Sequence, residues 1–165
     1  MTQPNEFDPR GYPAAPGPGG YQPAGGSQPG SLGIRFAARF IDGLIVGVVA
    51  IGLAFAVGGY NNYWIPGLFS GLLTFIYFVA FEVSQGWTPG KKILGLEVRG
   101  PGGAPKPDAK QSAIRNSFTL LGIVPFVGGL LALAAWIVIA VTINSSPTKQ
   151  GKHDELAGGT QVIKV

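Results

Sequence analysis

Long apolar runs, separated by short polar stretches, dominate most of this sequence. A helix crosses the roughly 30 Å hydrocarbon core of a bilayer with about 20 apolar residues, because each residue adds about 1.5 Å of rise. The runs therefore predict an all-α membrane protein, a small polytopic helical bundle with the lipid bilayer as its main partner. The predicted helices cover residues 33–57, 66–84, 108–124 and 128–144.

The last long apolar segment leaves two interpretations open. Residues 117–143 are longer than one crossing requires, and Pro125 and the glycines at 128–129 lie in its middle, where a turn can form. The segment is either one long, tilted and kinked helix or two helices joined at residues 125–129. The bundle accordingly has four helices, or three with a re-entrant segment that leaves the membrane on the side from which it entered.

The positions of the basic residues favour an even number of crossings. Lysine and arginine occur only in residues 10–39, 91–115 and 149–164, whereas the turns at residues 58–64 and 125–129 contain none. Loops rich in lysine and arginine stay on the cytoplasmic side of a membrane. Four crossings place every basic residue there, so we expect a multi-pass protein of the inner (plasma) membrane with both termini in the cytoplasm.

Two polar regions complete the predicted organisation. Residues 1–30 are rich in proline and glycine and have few large aliphatic side chains, which predicts a disordered cytoplasmic tail ahead of a transmembrane domain at residues 31–165. Residues 92–99, followed by turn residues 100–103, predict either a short strand or a short cytoplasmic β-hairpin. The β-prone residues 160–165 can pair with residues 93–98 on the same side of the membrane.

The composition supports a membrane protein without a cofactor. Charged residues make up 12% of the 165 residues and apolar residues 46%, and the absence of cysteine excludes disulfides and thiolate metal sites. Residues 86–92 lack the spacing of a phosphate-binding loop, and no nucleophile and base can be assembled, so we expect no enzymatic activity. The basic middle loop matches lipid headgroups better than a nucleic acid.

Charged side chains within the apolar runs are the candidate functional residues. Arg35, Arg39 and Asp42 share one face of the first helix, because positions three, four and seven apart are neighbours. A charge at that depth is costly unless it meets a partner or water, so this face should contact protein. Asp42 either binds a cation or relays protons, or it neutralises Arg35 or Arg39. Glu82, in the last turn of the second helix, is expected to pair with Arg35 or Arg39.

The C-terminal region contributes His153, the only histidine, and Asp154. Adjacent residues on a helix or strand point apart, so we do not expect these two to act together as an acid and a base. We expect instead that Asp154 caps a helical turn or pairs with a basic residue such as Arg35 or Arg115.

Four separated motifs occur in order along the chain: RFAARFID, FEVSQGWTPGKKILGLEV, AIRN and KHDELAGGTQV. Together they resemble the RDD family of bacterial membrane proteins, which is named for one arginine and two aspartates. Glu82 and the Thr88-Pro89-Gly90-Lys91 run match positions that are common in the family, whereas Arg39 stands where an apolar or aromatic residue is usual. The proline-rich tail is similar to those of actinobacterial membrane proteins. The resemblance implies three signature residues: Arg35, Asp42 and Asp154.

The resemblance implies a role in transport of an ion or small ligand through the charged cluster. Because the bundle is small for a complete transporter, this role requires a homo-oligomer. The alternative is a non-transporting accessory or scaffold subunit of a membrane complex, in which the cluster is a structural lock. Five residues support the signature in either case: Arg39, Glu82, Lys91, Arg115 and His153.

Overall fold

The computed structural model describes residues 27–58, 62 and 64–165. Residues 1–26 of the disordered tail predicted over residues 1–30 lie outside the described residues, as do residues 59–61 and 63 of the predicted turn. Within the described chain, three helices are long and apolar enough to cross a membrane: α1 (Leu32–Ala56), α2 (Trp64–Gln85) and α5 (Gly128–Ser145). The shorter elements are α3 (Pro89–Ile93), β1 (Leu96–Arg99), α4 (Ala109–Asn116), α6 (Lys152–Leu156) and β2 (Gln161–Lys164).

The longest helix, α1, buries one narrow face and leaves the rest of its apolar surface exposed. The buried positions recur every three or four residues, which is the spacing of one side of an α-helix. Half of them are alanine, so a neighbouring helix can approach closely at these positions. In order, they are Arg35, Ala38, Asp42, Val46, Ala50 and Ala54.

The segment after α4 is not one long helix. The α-helix ends at Asn116 and continues as a 3₁₀ helix over Ser117–Ile123, so the predicted α-helix over 108–124 is α-helical only in its first half. The hydroxyls of Ser117 and Thr119 donate to the carbonyls of Ile114 and Asn116, and such bonds compete with regular helix geometry. The chain then turns at residues 124–127, where Pro125 cannot continue a helix.

The 3₁₀ helix runs along α2 towards the end of the bundle opposite Glu82. A Cβ atom added to Gly71 would lie 2.6 Å from Ile123 Cγ1, and one added to Gly67 would lie 3.2 Å from the Ile123 carbonyl oxygen. Glycine at these positions therefore lets the two segments pack at backbone distance. Because Ser112 of α4 donates to Glu82 and Ile123 lies beside Gly67, the segment from α4 to Ile123 runs along α2 from the Glu82 end towards the other end, and α5 follows it.

A two-stranded antiparallel sheet joins distant parts of the chain. Leu96 pairs with Lys164 and Arg99 with Gln161, so the predicted pairing of the 93–98 and 160–165 regions is confirmed. Of the two predictions for residues 92–99, the short strand is confirmed by β1, and the hairpin is wrong, because the chain after β1 folds into a 3₁₀ turn (Pro101–Gly103) instead of leading to a second strand. The Gly30 amide donates to Val162, so the predicted tail ends before residue 30.

The sheet packs against the beginning of α1 through a small apolar core. Ala38, Leu96, Val98 and Val162 are its fully buried members. The end of α5 reaches the same region, because the Lys152 amide donates to Thr142 Oγ1. We call this end of the bundle, formed by the start of α1, the end of α2, α3, α4, α6 and the sheet, the charged end.

Candidate functional site: a buried charge network

Asp42 is fully buried on α1 and is held by neutral donors. It accepts hydrogen bonds from Tyr77 Oη at 2.8 Å, from Thr88 Oγ1 at 2.6 Å and from the Gly90 amide at 2.7 Å. Within the described chain, no basic side chain lies within 4 Å of it, so the predicted pairing with an arginine of α1 is wrong. Helical side chains lean towards the helix N-terminus, which carries both arginines away from Asp42.

The short helix α3 supplies most of these donors. Thr88 is its N-cap and Pro89 follows at the first helical turn, where a missing N–H costs nothing. A Cβ on Gly90 would lie 2.9 Å from the Asp42 carboxyl carbon and would also collide with the Ala38 carbonyl oxygen. Glycine therefore lets α3 touch α1. Through the Thr-Pro-Gly-Lys run, α3 supplies donors to Asp42 of α1 and to Glu82 of α2.

Glu82 is the carboxylate of α2, and it too is fully buried. It pairs with Lys91 Nζ and accepts hydrogen bonds from Ser112 Oγ at 3.0 Å and Asn116 Nδ2 at 2.9 Å. The predicted pairing with Arg35 or Arg39 is wrong, because α3 and α4 bring their own donors to this carboxylate. Arg39 is linked to it only indirectly, since its Nη2 donates to the Asn116 oxygen at 2.8 Å.

Asp154 connects the C-terminal segment to the helices. It accepts from the Gly151 amide at 3.1 Å, which caps α6, and it lies 3.1 Å from Arg115 Nη1 and 3.5 Å from Arg35 Nη1. The predicted cap and both predicted arginine partners are therefore present. Burial alone would raise the pKa of Asp154, but the nearby Arg115, with His153 and Arg35, holds the pKa below its ordinary value.

Arg115 is the bridge between two carboxylates. Its side chain is almost completely buried, with Nη1 beside Asp154 and Nε 3.8 Å from Glu82 Oε1. Arg35 makes a second connection, because its Nε donates to the Gly30 carbonyl at 2.8 Å and its Nη2 to the Val162 carbonyl at 2.9 Å. These two arginines hold α1, α2, α4, α6 and the sheet in one arrangement.

His153 lies at the edge of the network. Its ring stands edge-on to Phe118, with 6.0 Å between the ring centroids, and its Nε2 is 3.7 Å from Asp154 Oδ1. The expectation that these neighbours point apart is wrong, since Asp154 turns back to cap Gly151 and so approaches the ring. Burial lowers the pKa of His153 to about 3, so its imidazole is neutral at pH 7.

Arg39 is placed differently from the other basic groups. Its guanidinium carbon lies 4.1 Å from the ring centroid of Phe78, 5.0 Å from that of Phe118 and 5.8 Å from that of Trp136. Aromatic faces attract a cation through their quadrupoles. Within the part of the chain that the structure describes, Arg39 has no carboxylate within 4 Å, so these rings and Asn116 are its surroundings.

The sequence did not identify the neutral donors of the network. Tyr77, Thr88, Ser112 and Asn116 each donate to a buried carboxylate. Two signals were available: Thr88 stands in the Thr-Pro-Gly-Lys run that resembles the family, and Ser112 and Asn116 are four residues apart on one face of α4. Within the described ranges, no group of three or more His, Asp or Glu side chains could hold a metal ion.

Comparison with known proteins places the chain in a family. The model of the RDD family matches residues 29–158, a range that contains every helix, β1 and the whole charge network. A search of curated proteins and a search of solved structures each returned no match. Because the matched range covers most of its length, this chain belongs to the RDD family, whose membrane character agrees with its three long apolar helices.

Proposed function

We propose that this protein is a non-enzymatic accessory or scaffold subunit of a membrane complex, in which the charge network is a structural lock. The observation that carries the proposal is that the described chain itself supplies several donors to each buried carboxylate. Asp42 has three hydrogen-bond donors, Glu82 has a lysine and two neutral donors, and Asp154 has two arginines and a capping amide.

Buried carboxylates with this many donors resist replacement of those donors by a cation. A buried carboxylate that loses its partner costs several kcal/mol, because desolvation is then uncompensated. A cation that entered the site would have to displace Lys91 from Glu82, or displace three well-directed donors from Asp42. The network therefore favours a fixed connection between the helices and the sheet over a site that fills and empties.

The orientation in the membrane is part of the proposal. Every described lysine and arginine lies in or next to the charged end or in the loops that leave it, and the turn at residues 124–127 has none. Loops rich in these residues remain in the cytoplasm. We therefore place the charged end, with the paired Gln28–Gly30 and β2 segments, on the cytoplasmic face of the cell membrane.

Transport of an ion or small ligand is the second candidate. It is favoured by a cavity of about 60 Å³ that lies beside the network and is lined by Arg39 and Arg115. It is also favoured by the 3₁₀ segment along α2, because irregular backbone at membrane depth occurs where it is covered by protein or lines a cavity. In this case a homo-oligomer would complete the pathway.

Flux measurements on reconstituted protein separate the two candidates. We expect the wild type in proteoliposomes to show no Na⁺, K⁺ or H⁺ flux above that of protein-free liposomes. We expect Asp42→Asn to lower the melting temperature, because the Asn amide group is itself a donor and faces three donors. Asp108→Asn is the matched control, since this exposed N-cap exchanges a carboxylate for an amide outside the network.

The opposite result would establish transport instead. Wild-type flux that Asp42→Asn abolishes while leaving the melting temperature unchanged would contradict the structural lock. Flux that survives in Asp108→Asn would then show that the loss is specific to the buried carboxylate.

A further inference from the structure

A cavity lies beside the charge network, where α1, α4 and α5 approach the sheet. Its volume is about 60 Å³, and one water requires about 10–15 Å³ on the same measure, so a small polyatomic ion or a few waters would fill it. None of the residues that line it, all in the described part of the chain, is acidic. Its basic and imidazole side chains are Arg35, Arg39, Lys91, Arg115 and His153.

The charges around the cavity do not balance. The described network contains four basic side chains and three carboxylates, and Arg39 is the cation of this network without a carboxylate within 4 Å. A charge near the membrane interior that lacks a counter-charge is expensive. Burial lowers the pKa of Lys91 to about 8 although Glu82 opposes the shift, and Arg115 and Arg39 add to it. An additional negative charge would therefore be stabilised here.

Three guanidinium groups that line the cavity have buried nitrogens without a hydrogen-bond partner among the described residues: Arg35, Arg39 and Arg115. Those of Arg35 and Arg115 lie within 4 Å of Asp154 or Glu82, whereas Arg39 Nη1 has no carboxylate at that distance. The planar, forked donors of arginine match the oxygens of a phosphate or carboxylate better than those of a monatomic anion. The unused donors thus indicate an oxyanion as the missing partner.

A second space adjoins the cavity. This groove has a volume of about 390 Å³ on the same measure as the cavity, and it shares Phe36, Arg39 and Trp136 with the cavity. It continues between α1 and α5 along apolar side chains such as Leu44 and Leu133. Arg39 therefore stands where a mainly apolar cavity that contains several basic side chains adjoins an apolar groove. This arrangement suits a free oxyanion beside the basic side chains and equally a charged headgroup with its chain in the groove.

We propose that this cavity binds an oxyanion, the phosphate or carboxylate group of a small molecule or of an anionic lipid, with Arg39 and Arg115 as its donors. The proposal goes beyond the structural lock and does not depend on it. The lock concerns carboxylates that already have donors within the protein, whereas this site concerns arginine donors without an acceptor.

Titration with inorganic phosphate tests the site directly. The full-length protein, in nanodiscs of neutral phosphatidylcholine, is titrated at constant ionic strength, with chloride as the reference anion. We expect saturable heat in calorimetry and a matching rise in melting temperature, because a ligand of the folded state stabilises it. We expect Arg39→Gln to weaken binding by about tenfold or more, since a charged hydrogen-bond donor is lost. Lys110→Gln, an exposed cation outside the cavity, should bind as the wild type does.

Nanodiscs of anionic phosphatidylglycerol distinguish the two sources of the oxyanion. If a lipid headgroup fills the site, the wild type melts higher in phosphatidylglycerol than in phosphatidylcholine, Arg39→Gln loses this difference, and added phosphate has no further effect. If a free anion fills it, phosphate acts equally in both lipids. Wild-type protein that responds to neither phosphate nor phosphatidylglycerol overturns the proposal, as does an Arg39→Gln variant that responds fully. Should that variant not fold, the wild-type titrations decide alone.

Discussion

The two ends of the bundle are held together in different ways. At the charged end, polar side chains from five helices and the sheet are buried and joined by hydrogen bonds and ion pairs. At the opposite end, small residues such as Ala50, Ala54 and Gly71 make the helix contacts, and large apolar side chains such as Val48 and Leu130 are exposed.

The difference follows from the solvent around each end. Lipid tails are as apolar as leucine, so apolar helices gain little by leaving lipid for one another and associate mainly by close packing. Polar groups near the bilayer boundary gain much more by meeting each other. The relative positions of the helices should therefore depend mainly on the charged end. Four substitutions or conditions test this comparison, from the largest expected effect to the smallest.

Removal of the Glu82 charge should have the largest effect. Glu82→Gln leaves Lys91 and Arg115 buried without their shared carboxylate, which should cost about 3–5 kcal/mol of unfolding free energy. Denaturant unfolding in detergent, together with the yield of folded protein, measures this loss. Ser84→Ala is the control at the same end, because its exposed hydroxyl bonds only to carbonyls of its own helix. A variant as stable as that control would show that the ion pairs contribute nothing.

The close approach of α3 to α1 should be nearly as sensitive. Gly90→Ala places a methyl group against the Ala38 carbonyl and the Asp42 carboxylate, so α3 must shift, at a cost of about 1–3 kcal/mol. The melting temperature should fall. Gly122→Ala, in the 3₁₀ helix, meets nothing within 4 Å and should melt as the wild type does. Equal stability of both variants would mean that α3 is not held against Asp42.

Acid should loosen the charged end through His153. Its pKa is lowered to about 3 in the folded protein, mainly by burial, from an ordinary value of 6.5. The unfolded chain therefore binds the proton first, and stability is lost as pH falls through 6.5 towards 3. We expect about 1 kcal/mol less unfolding free energy at pH 5.5 than at pH 7.5. His153→Gln should remove most of this dependence; an unchanged profile in that variant would assign the loss to another group.

The smallest effect is expected for truncation of an exposed leucine at the end opposite the charged end, and the same truncation at a buried leucine of the sheet gives the contrast. Leu130 on α5 is 69% exposed, so Leu130→Ala should change the unfolding free energy by no more than about 0.5 kcal/mol. Leu96→Ala, the same change at a fully buried position of the sheet, should cost about 2–5 kcal/mol. Comparable losses at both positions would contradict the difference between the ends.

Much of the fold could be predicted from the sequence. The lengths of the apolar runs predicted the three long helices, and Pro125 predicted the break before α5. The β-prone residues 93–98 and 160–165 predicted the sheet. These features depend on local composition and on backbone chemistry. The 3₁₀ helix over Ser117–Ile123 could not be predicted from the sequence, because it depends on packing against Gly67 and Gly71 of a different helix.

The charge network could be predicted only in part. The residues themselves were identifiable, because charges in apolar runs must be accommodated, and the partners of Asp154 followed from charge alone. The partners of Asp42 and Glu82 did not, because neutral donors such as Thr88 and Asn116 look ordinary in a sequence. Arg35 and Asp42 lie on one face of α1, but helical side chains point towards the helix N-terminus, so Arg35 contacts Gly30 and Asp154 instead of Asp42. The functional roles of the residues in the charge network remain predictions.

Hydrogen exchange of the wild-type protein in nanodiscs tests the central claim most directly. Amides of residues 88–99 and 151–164 lie at the charged end, beyond the three membrane-spanning helices, so their protection must come from the protein's own structure. If the network locks this end, both stretches are protected and open together, with the same free energy, because Arg115 and the sheet join them. Rapid exchange of the 151–164 stretch, independent of a protected 88–99 stretch, would contradict the lock.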